Sequence, residues 1–104
     1  DIGVAGPKVF RYDRPDSLES MGGTINVGRC EFPLNFNDRG PVIDVDYVSG
    51  CCMVVRREVF ERVGMFDPIY FCYVEEIDFC YRVKREGYRV AVVSDAKIWH
   101  KGGR

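Results

Sequence analysis

Tyr73-Val74-Glu75-Glu76-Ile77-Asp78-Phe79-Cys80-Tyr81-Arg82 places three carboxylates within four residues, at what reads as the opening turn of a helix. Helix N-termini carry about half a positive charge, so acids are favoured there. Ile77, Cys80 and Tyr81 fall on one helical face with Phe79 and Val83 beside them, and Gly87 closes the run, which predicts a helix over 75–86. Asp78 and Arg82, four residues apart, are spaced to pair along it. Two meanings are open at this level. The acids form a plain cap with a surface ion pair, or a carboxylate is aimed from a rigid helix start into a cleft walled by Tyr70-Phe71-Cys72-Tyr73.

Upstream of this helix the pattern alternates between strand and turn. Ile2 to Phe10 reads as a buried strand that is an edge, or breaks, at Pro7, because proline cannot donate to a ladder. Arg11 to Asp16 is a turn, and Ser17 to Gly23 is too short and glycine-terminated for a full helix. Thr24 to Val27 alternates like a short strand, and Gly28 to Pro41 is an irregular loop. Val42 to Val48 has the alternation of a half-buried strand. Ser49-Gly50 interrupts it, and the continuous apolar run Cys51 to Val55 predicts a strand buried on both faces. Arg56 to Gly64 reads as a short helix with Val59, Phe60 and Val63 on one face, and Met65-Phe66-Asp67-Pro68 as a turn. Downstream, Tyr88 to Val93 is a short β-branched strand. The fold class is α/β, bordering on α+β: a small mixed sheet, two main helices and one long loop.

At 104 residues the chain holds a single domain. A hydrophobic fraction of 46% and a charged fraction of 30% are those of a globular protein. The net charge of -1 gives no basic footprint for nucleic acid, and no apolar run approaches the roughly 18–20 residues that cross a bilayer. The chain starts at Asp1 and stops at Arg104, which reads as part of a longer protein. Five cysteines, at 30, 51, 52, 72 and 80, form no C-x-x-C pair. Four of them lie in apolar stretches, where a reduced thiol packs as a small hydrophobe, and this favours a cytoplasmic protein.

Further candidates each have a bland counterpart. Asp44-Val45-Asp46 is a D-x-D that can hold a divalent cation, yet both acids share one strand face, which can simply be the solvated one. His100 is the chain's one histidine, preceded by its one tryptophan, Trp99, and followed by Gly102-Gly103. Such a histidine is a metal ligand or a structural residue. Gly50 after Ser49 marks a bulge or a place where a ligand meets backbone.

Taken in order, Val48-Ser49-Gly50-Cys51-Cys52-Met53-Val54-Val55-Arg56-Arg57, Phe60 to Asp67, Tyr73 to Arg82, Gly87-Tyr88 and Asp95 to His100 resemble the C-terminal half of a glycosyltransferase family 2 catalytic domain, in its rhamnosyltransferase-like branch. Gly3 to Val9 resembles the strand that follows that family's metal-binding aspartates. The resemblance implies a partial GT-A fold in which 1–104 form the acceptor-side part. The nucleotide-binding half, with the D-x-D that holds Mg²⁺ or Mn²⁺, is then expected upstream of Asp1, and Asp44-Val45-Asp46 is a decoy by position. It implies inverting transfer from a nucleotide-diphosphate sugar to a saccharide or lipid-linked acceptor, with Glu76 or Glu75 as the base. Ser49, Gly50 and Trp99 fall on the substrate side, Asp78 and Arg82 brace the helix, and His100 joins the metal shell. The 104 residues alone are then expected to be inactive, to bind no metal by themselves, and to form homodimers through the uncovered face. The full-length enzyme is expected in the cytoplasm or at the inner face of the membrane. The alternative from another class is a non-catalytic binding or assembly domain.

Overall fold

The computed structural model describes residues 1–64 and 75–101. In chain order the elements are β1 (Ile2–Arg11), β2 (Leu18–Ser20), β3 (Val42–Val45), β4 (Val54–Val55), α1 (Arg57–Val63), α2 (Glu75–Arg85) and β5 (Arg89–His100). The sheet runs β2-β1-β5-β3, with β4 also on β1. β1 and β5 are parallel, and the other pairings are antiparallel. The fold is therefore the mixed α/β arrangement expected of a partial GT-A domain.

The parallel pair β1/β5 is the spine. Val90, Ala91 and Val92 are all buried because β5 lies between β1 and β3, which is how a two-sided apolar strand is used. On β3, Ile43 and Val45 face the core while Val42 and Asp44 face out. α2 packs on β5 and β1 and against α1, through the fully buried Phe79, Cys80 and Val83. Burying a side chain like Phe79 contributes roughly 1.5–3 kcal/mol. Gly64 and Gly87, at φ 89° and 96°, close the two helices.

Pro7 interrupts nothing on the spine. It falls between the residues that pair with β4 (Val4, Ala5) and those that pair with β2 (Val9, Phe10), where the edge of β1 changes partner. On the β5 side the register shifts just after it, from Pro7↔Val93 to Lys8↔Lys97.

Several expectations are corrected. Cys51 to Val55 is not a strand buried on both faces: only Val54–Val55 pair, at the rim of β1, with Val54 71% exposed. An apolar run specifies burial only where a second layer covers it. Ser17 to Gly23 forms no helix, as expected; it contains β2, because β1 offers an edge that a three-residue segment can join. Thr24 to Val27 forms no named strand, only a bridge of Asn26 to Glu31. β5 does not stop at Val93 but continues to His100, since β1 supplies a parallel partner as far as Arg11. Tyr81 lies on the exposed side of α2, beneath Arg85. The apolar stripe of this helix is wider than one face, and the sheet selects Phe79 and Val83 as its centre. The stretches Met65-Phe66-Asp67-Pro68, Tyr70-Phe71-Cys72-Tyr73 and Gly102-Gly103 lie outside the described residues.

The long loop is tied down at defined points. Asp38 accepts from Lys8 and from the Ser94 hydroxyl, the latter at 2.7 Å. The Asn35 side chain donates to the Met21 carbonyl, and Tyr47 Oη donates to the Phe32 carbonyl at 2.7 Å.

Candidate active site

Glu76 stands in the first turn of α2, half-buried, against the turn that follows β3. A Cβ placed on Gly50 would lie 3.2 Å from Glu76 Cδ and 3.4 Å from its Cβ, so the backbone of Gly50 and the glutamate chain are in direct contact. Burial pushes the Glu76 carboxyl above its ordinary range, the backbone N–H groups of Glu76 itself and of Gly50 draw it back, and the charge of Glu75 pushes it further up. This combination suits a general base: a half-buried carboxylate packed on a glycine backbone, with its pKa moved up by burial. Two residues beneath it respond to its charge. The Tyr47 phenol is raised by burial and by Glu76, and the Cys80 thiol is pushed up to about 11 by burial, with Glu76 adding to it. Cys80 is thus a protonated core residue at neutral pH, not a nucleophile.

Gly50→Ala tests the contact. The added methyl group must displace the Glu76 carboxylate by a few tenths of an ångström. The expected result in the full chain is a kcat lowered about tenfold with little change in KM, since small misplacements of reacting groups carry large costs. Steady-state kinetics on the folded variant checks it.

The remaining candidates divide into two groups. Asp78 accepts from Arg82 Nε at 3.1 Å, and Arg82 Nη1 donates to the Val63 carbonyl at 2.7 Å, so this pair joins α2 to the last turn of α1. Ser49 Oγ accepts from the Cys51 N–H at 3.3 Å and folds the turn that carries Gly50. Trp99 stacks on Phe10 with ring centroids 5.7 Å apart, and its Nε1 donates to the Pro15 carbonyl at 3.0 Å, leaving the indole about half exposed. His100 Nδ1 meets Glu19 Oε2 at 3.1 Å. Burial raises the Cys51 thiol, and the charge of Glu19 adds a smaller push in the same direction. Glu75 lies beside Glu76, half-buried, and among the described residues no glycine packs against it as Gly50 packs against Glu76.

The two aspartates of Asp44-Val45-Asp46 are both engaged by cations. Asp44 pairs with Arg89 at 2.8 Å; Asp46 pairs with Lys84 and accepts the Ile25 N–H at 2.8 Å. Among the described residues no group of three or more His, Cys, Asp and Glu could hold a metal ion. Beside α2, a cleft of about 380 Å³ is lined mainly by apolar side chains, among them Ile25, Phe32, Ile77 and Tyr81.

Tyr47 and Glu19 are the site residues that pattern reasoning did not single out. Tyr47 carried the signal of an inward position in an alternating strand. Glu19 carried none, because its partner is 81 positions away.

The chain belongs to glycosyltransferase-like family 2, whose model matches residues 8–104. It is 44% identical over 46 residues to the low-salt glycan biosynthesis hexosyltransferase Agl10 of Haloferax volcanii, covering 44% of this chain and 15% of that protein. It is 39% identical over 56 residues to the N-acetylglucosaminyl-diphospho-decaprenol L-rhamnosyltransferase of Mycobacterium tuberculosis, covering 54% and 18%. With the rhamnosyltransferase WbbL of Escherichia coli it shares 45% identity over 49 residues, covering 47% and 19%. The aligned part is less than a fifth of the length of each of these relatives.

Proposed function

We propose that the full chain transfers a sugar, with inversion, from a nucleotide-diphosphate sugar to a hydroxyl of a saccharide or lipid-linked acceptor, and that residues 1–104 are the acceptor-side part of its catalytic domain. The observation that carries this reading is the setting of Glu76: a half-buried carboxylate at a helix start, packed on the backbone of Gly50, with its pKa raised by burial. Family membership and the transferase names of the relatives support it.

In this scheme Glu76 takes the proton of the acceptor hydroxyl as that oxygen attacks the anomeric carbon from the face opposite the nucleotide. Gly50 keeps the carboxylate pointed outward, and Ser49 keeps the turn. The cleft beside Ile77 and Tyr81 offers the acceptor an apolar wall, and the half-exposed Trp99 ring is a second surface on which a sugar can stack. Asp78 and Arg82 hold α2, and so Glu76, against α1.

The family implies a divalent cation, Mg²⁺ or Mn²⁺. His100 fits as one imidazole ligand, since Nδ1 is taken by Glu19 and Nε2 has no partner among the described residues. The other ligands would come from a nucleotide-binding half upstream. When bound, the ion carries charge of the diphosphate leaving group. On this proposal the full enzyme is cytoplasmic, at the inner face of the membrane when its acceptor is lipid-linked.

The test is release of nucleoside diphosphate from a panel of nucleotide sugars with a lipid-linked saccharide acceptor. The full chain is expected to turn over at least one donor, with inverted configuration in the product. A polypeptide of residues 1–104 alone is expected to give none. Turnover by the 104 residues would overturn the assignment of the donor site to a separate half. A full chain that binds but never transfers would favour a binding module.

A further inference from the structure

We propose that Glu19 is a positioning residue that fixes His100 as its Nδ1–H tautomer and so leaves Nε2 as the ring nitrogen that meets a divalent cation. The proposal rests on the reading of His100 as a metal ligand.

The backbone sets Glu19 apart. Between β1 and β2 the register runs Val9↔Ser20 and then Phe10↔Leu18, so one step on β1 is matched by two on β2. Glu19 is the extra residue. A bulge of this kind leaves a residue outside the ladder and turns its side chain away from the regular alternation. On the opposite edge of β1, Arg11 is in register with His100. The bulged glutamate therefore reaches across β1 to the last residue of β5, where Oε2 lies 3.1 Å from Nδ1. The His100 carbonyl also accepts the Tyr12 N–H at 3.0 Å, and Trp99 is pinned between Phe10 and Pro15, so the backbone that carries the ring is fixed as well.

The chemistry then follows. A carboxylate only accepts, so it selects the ring form with hydrogen on Nδ1. In that form the lone pair is on Nε2, which makes no hydrogen bond among the described residues. A free neutral imidazole in water favours hydrogen on Nε2 instead, so the pairing changes the nitrogen that can ligate. Carboxylate partners on ligating histidines act in this way, setting ring orientation and raising ligand basicity. Both side chains remain about one-third exposed, so the pair is open to an ion arriving from a facing domain.

The experiment uses the full chain with ¹⁵N-labelled histidine. The His100 signal is identified by its loss in His100→Gln, and Mn²⁺ affinity is read from the electron paramagnetic resonance of the free ion. The wild-type ring is expected as the Nδ1–H form. Glu19→Ala is expected to shift it toward Nε2–H and to weaken Mn²⁺ binding by about 10- to 100-fold. Glu19→Gln keeps an accepting oxygen and is expected to retain the tautomer and most of the affinity. A general loss of structure would not produce that rescue. A wild-type ring already in the Nε2–H form would overturn the proposal, as would Glu19→Ala leaving both tautomer and affinity unchanged. Should Glu19→Ala fail to fold, the wild-type spectrum and Glu19→Gln still decide. An unchanged Mn²⁺ affinity in His100→Gln would instead overturn the metal reading beneath the proposal, whatever the tautomer.

Discussion

Glu76→Gln in the full chain is expected to lower kcat by about a thousandfold, within the range that a positioned general base contributes, while KM for the nucleotide sugar stays nearly constant. The amide keeps the size of the side chain and its packing on the Gly50 backbone, so the turn survives and only proton removal is lost. Glu75→Gln is the control, and its kcat is expected to remain within a few-fold of the parent. Near-normal transfer by Glu76→Gln with collapse in Glu75→Gln would move the base one residue back along the helix. The pH dependence follows from the direction of the Glu76 shift. The acidic limb of kcat/KM should rise at a pH above the ordinary glutamate value of 4.5, because the base must be ionised to act. Stability runs the other way. The folded carboxyl holds its proton more tightly than the unfolded one does, so its contribution to stability is fully present below the ordinary glutamate value. That contribution is lost as the pH rises through the elevated folded value. A permanently neutral glutamine escapes that loss. Glu76→Gln is therefore expected to be catalytically dead and, at neutral pH, more stable to urea than the parent. An inactive variant that is also less stable would point to a structural role for the carboxylate.

The helix α2 and the strand β3 were legible because their patterns are periodic. Phe79, Cys80 and Val83 recur at helical spacing, and Ile43 and Val45 at strand spacing, so the burial that fixes both elements was written in residue type. The acidic first turn was equally visible, but whether Glu76 was cap or base was not, since that depends on a contact with Gly50, 26 positions earlier. The resemblance to a family pointed to Glu76 or Glu75, and the fold distinguishes Glu76 from its neighbour by its packing on the glycine turn. What could not be read was whatever depends on a partner far along the chain. β2 exists because β1 has a free edge, and the three-residue segment carries no signal of its own. The Cys51 to Val55 run looked like a buried strand because an apolar sequence does not say which layer will cover it. Trp99 was flagged by rarity, yet its donor bond goes to Pro15, and Glu19 was silent because a bulge on one strand and a histidine on another meet only in the folded sheet.

Gly23→Ala is expected to destabilise the full chain by about 3 kcal/mol in urea unfolding, the upper part of the usual range for overpacking. The backbone of Gly23 is enclosed on three sides. Its N–H donates to the Tyr47 carbonyl at 3.0 Å, and its own carbonyl accepts from the Asp46 N–H at 2.8 Å. It also bridges both Leu34 and Tyr47. A Cβ there would lie 2.5 Å from the Tyr47 ring at Cζ and at the hydroxyl oxygen, and 2.6 Å from the Pro33 carbonyl. No rotamer relieves this, because one obstacle is backbone and the other is a buried ring. The tyrosine must move, and with it goes the 2.7 Å bond from its hydroxyl to Phe32 that ties the long loop to the sheet. Tyr47→Phe separates the two effects: it removes only that bond and is expected to cost about 1 kcal/mol. The site should register the larger change as well. Tyr47 lies within reach of the Glu76 charge, so displacing its ring is expected to admit water near the carboxylate and to relax its raised pKa toward the ordinary value. The acidic limb of kcat/KM in Gly23→Ala is accordingly expected to move to lower pH, while that of Tyr47→Phe stays near the parent. A Gly23→Ala variant with parental stability would show that the tyrosine has room to give, and an unmoved acidic limb would show that Glu76 owes its desolvation to Gly50 and α2 alone.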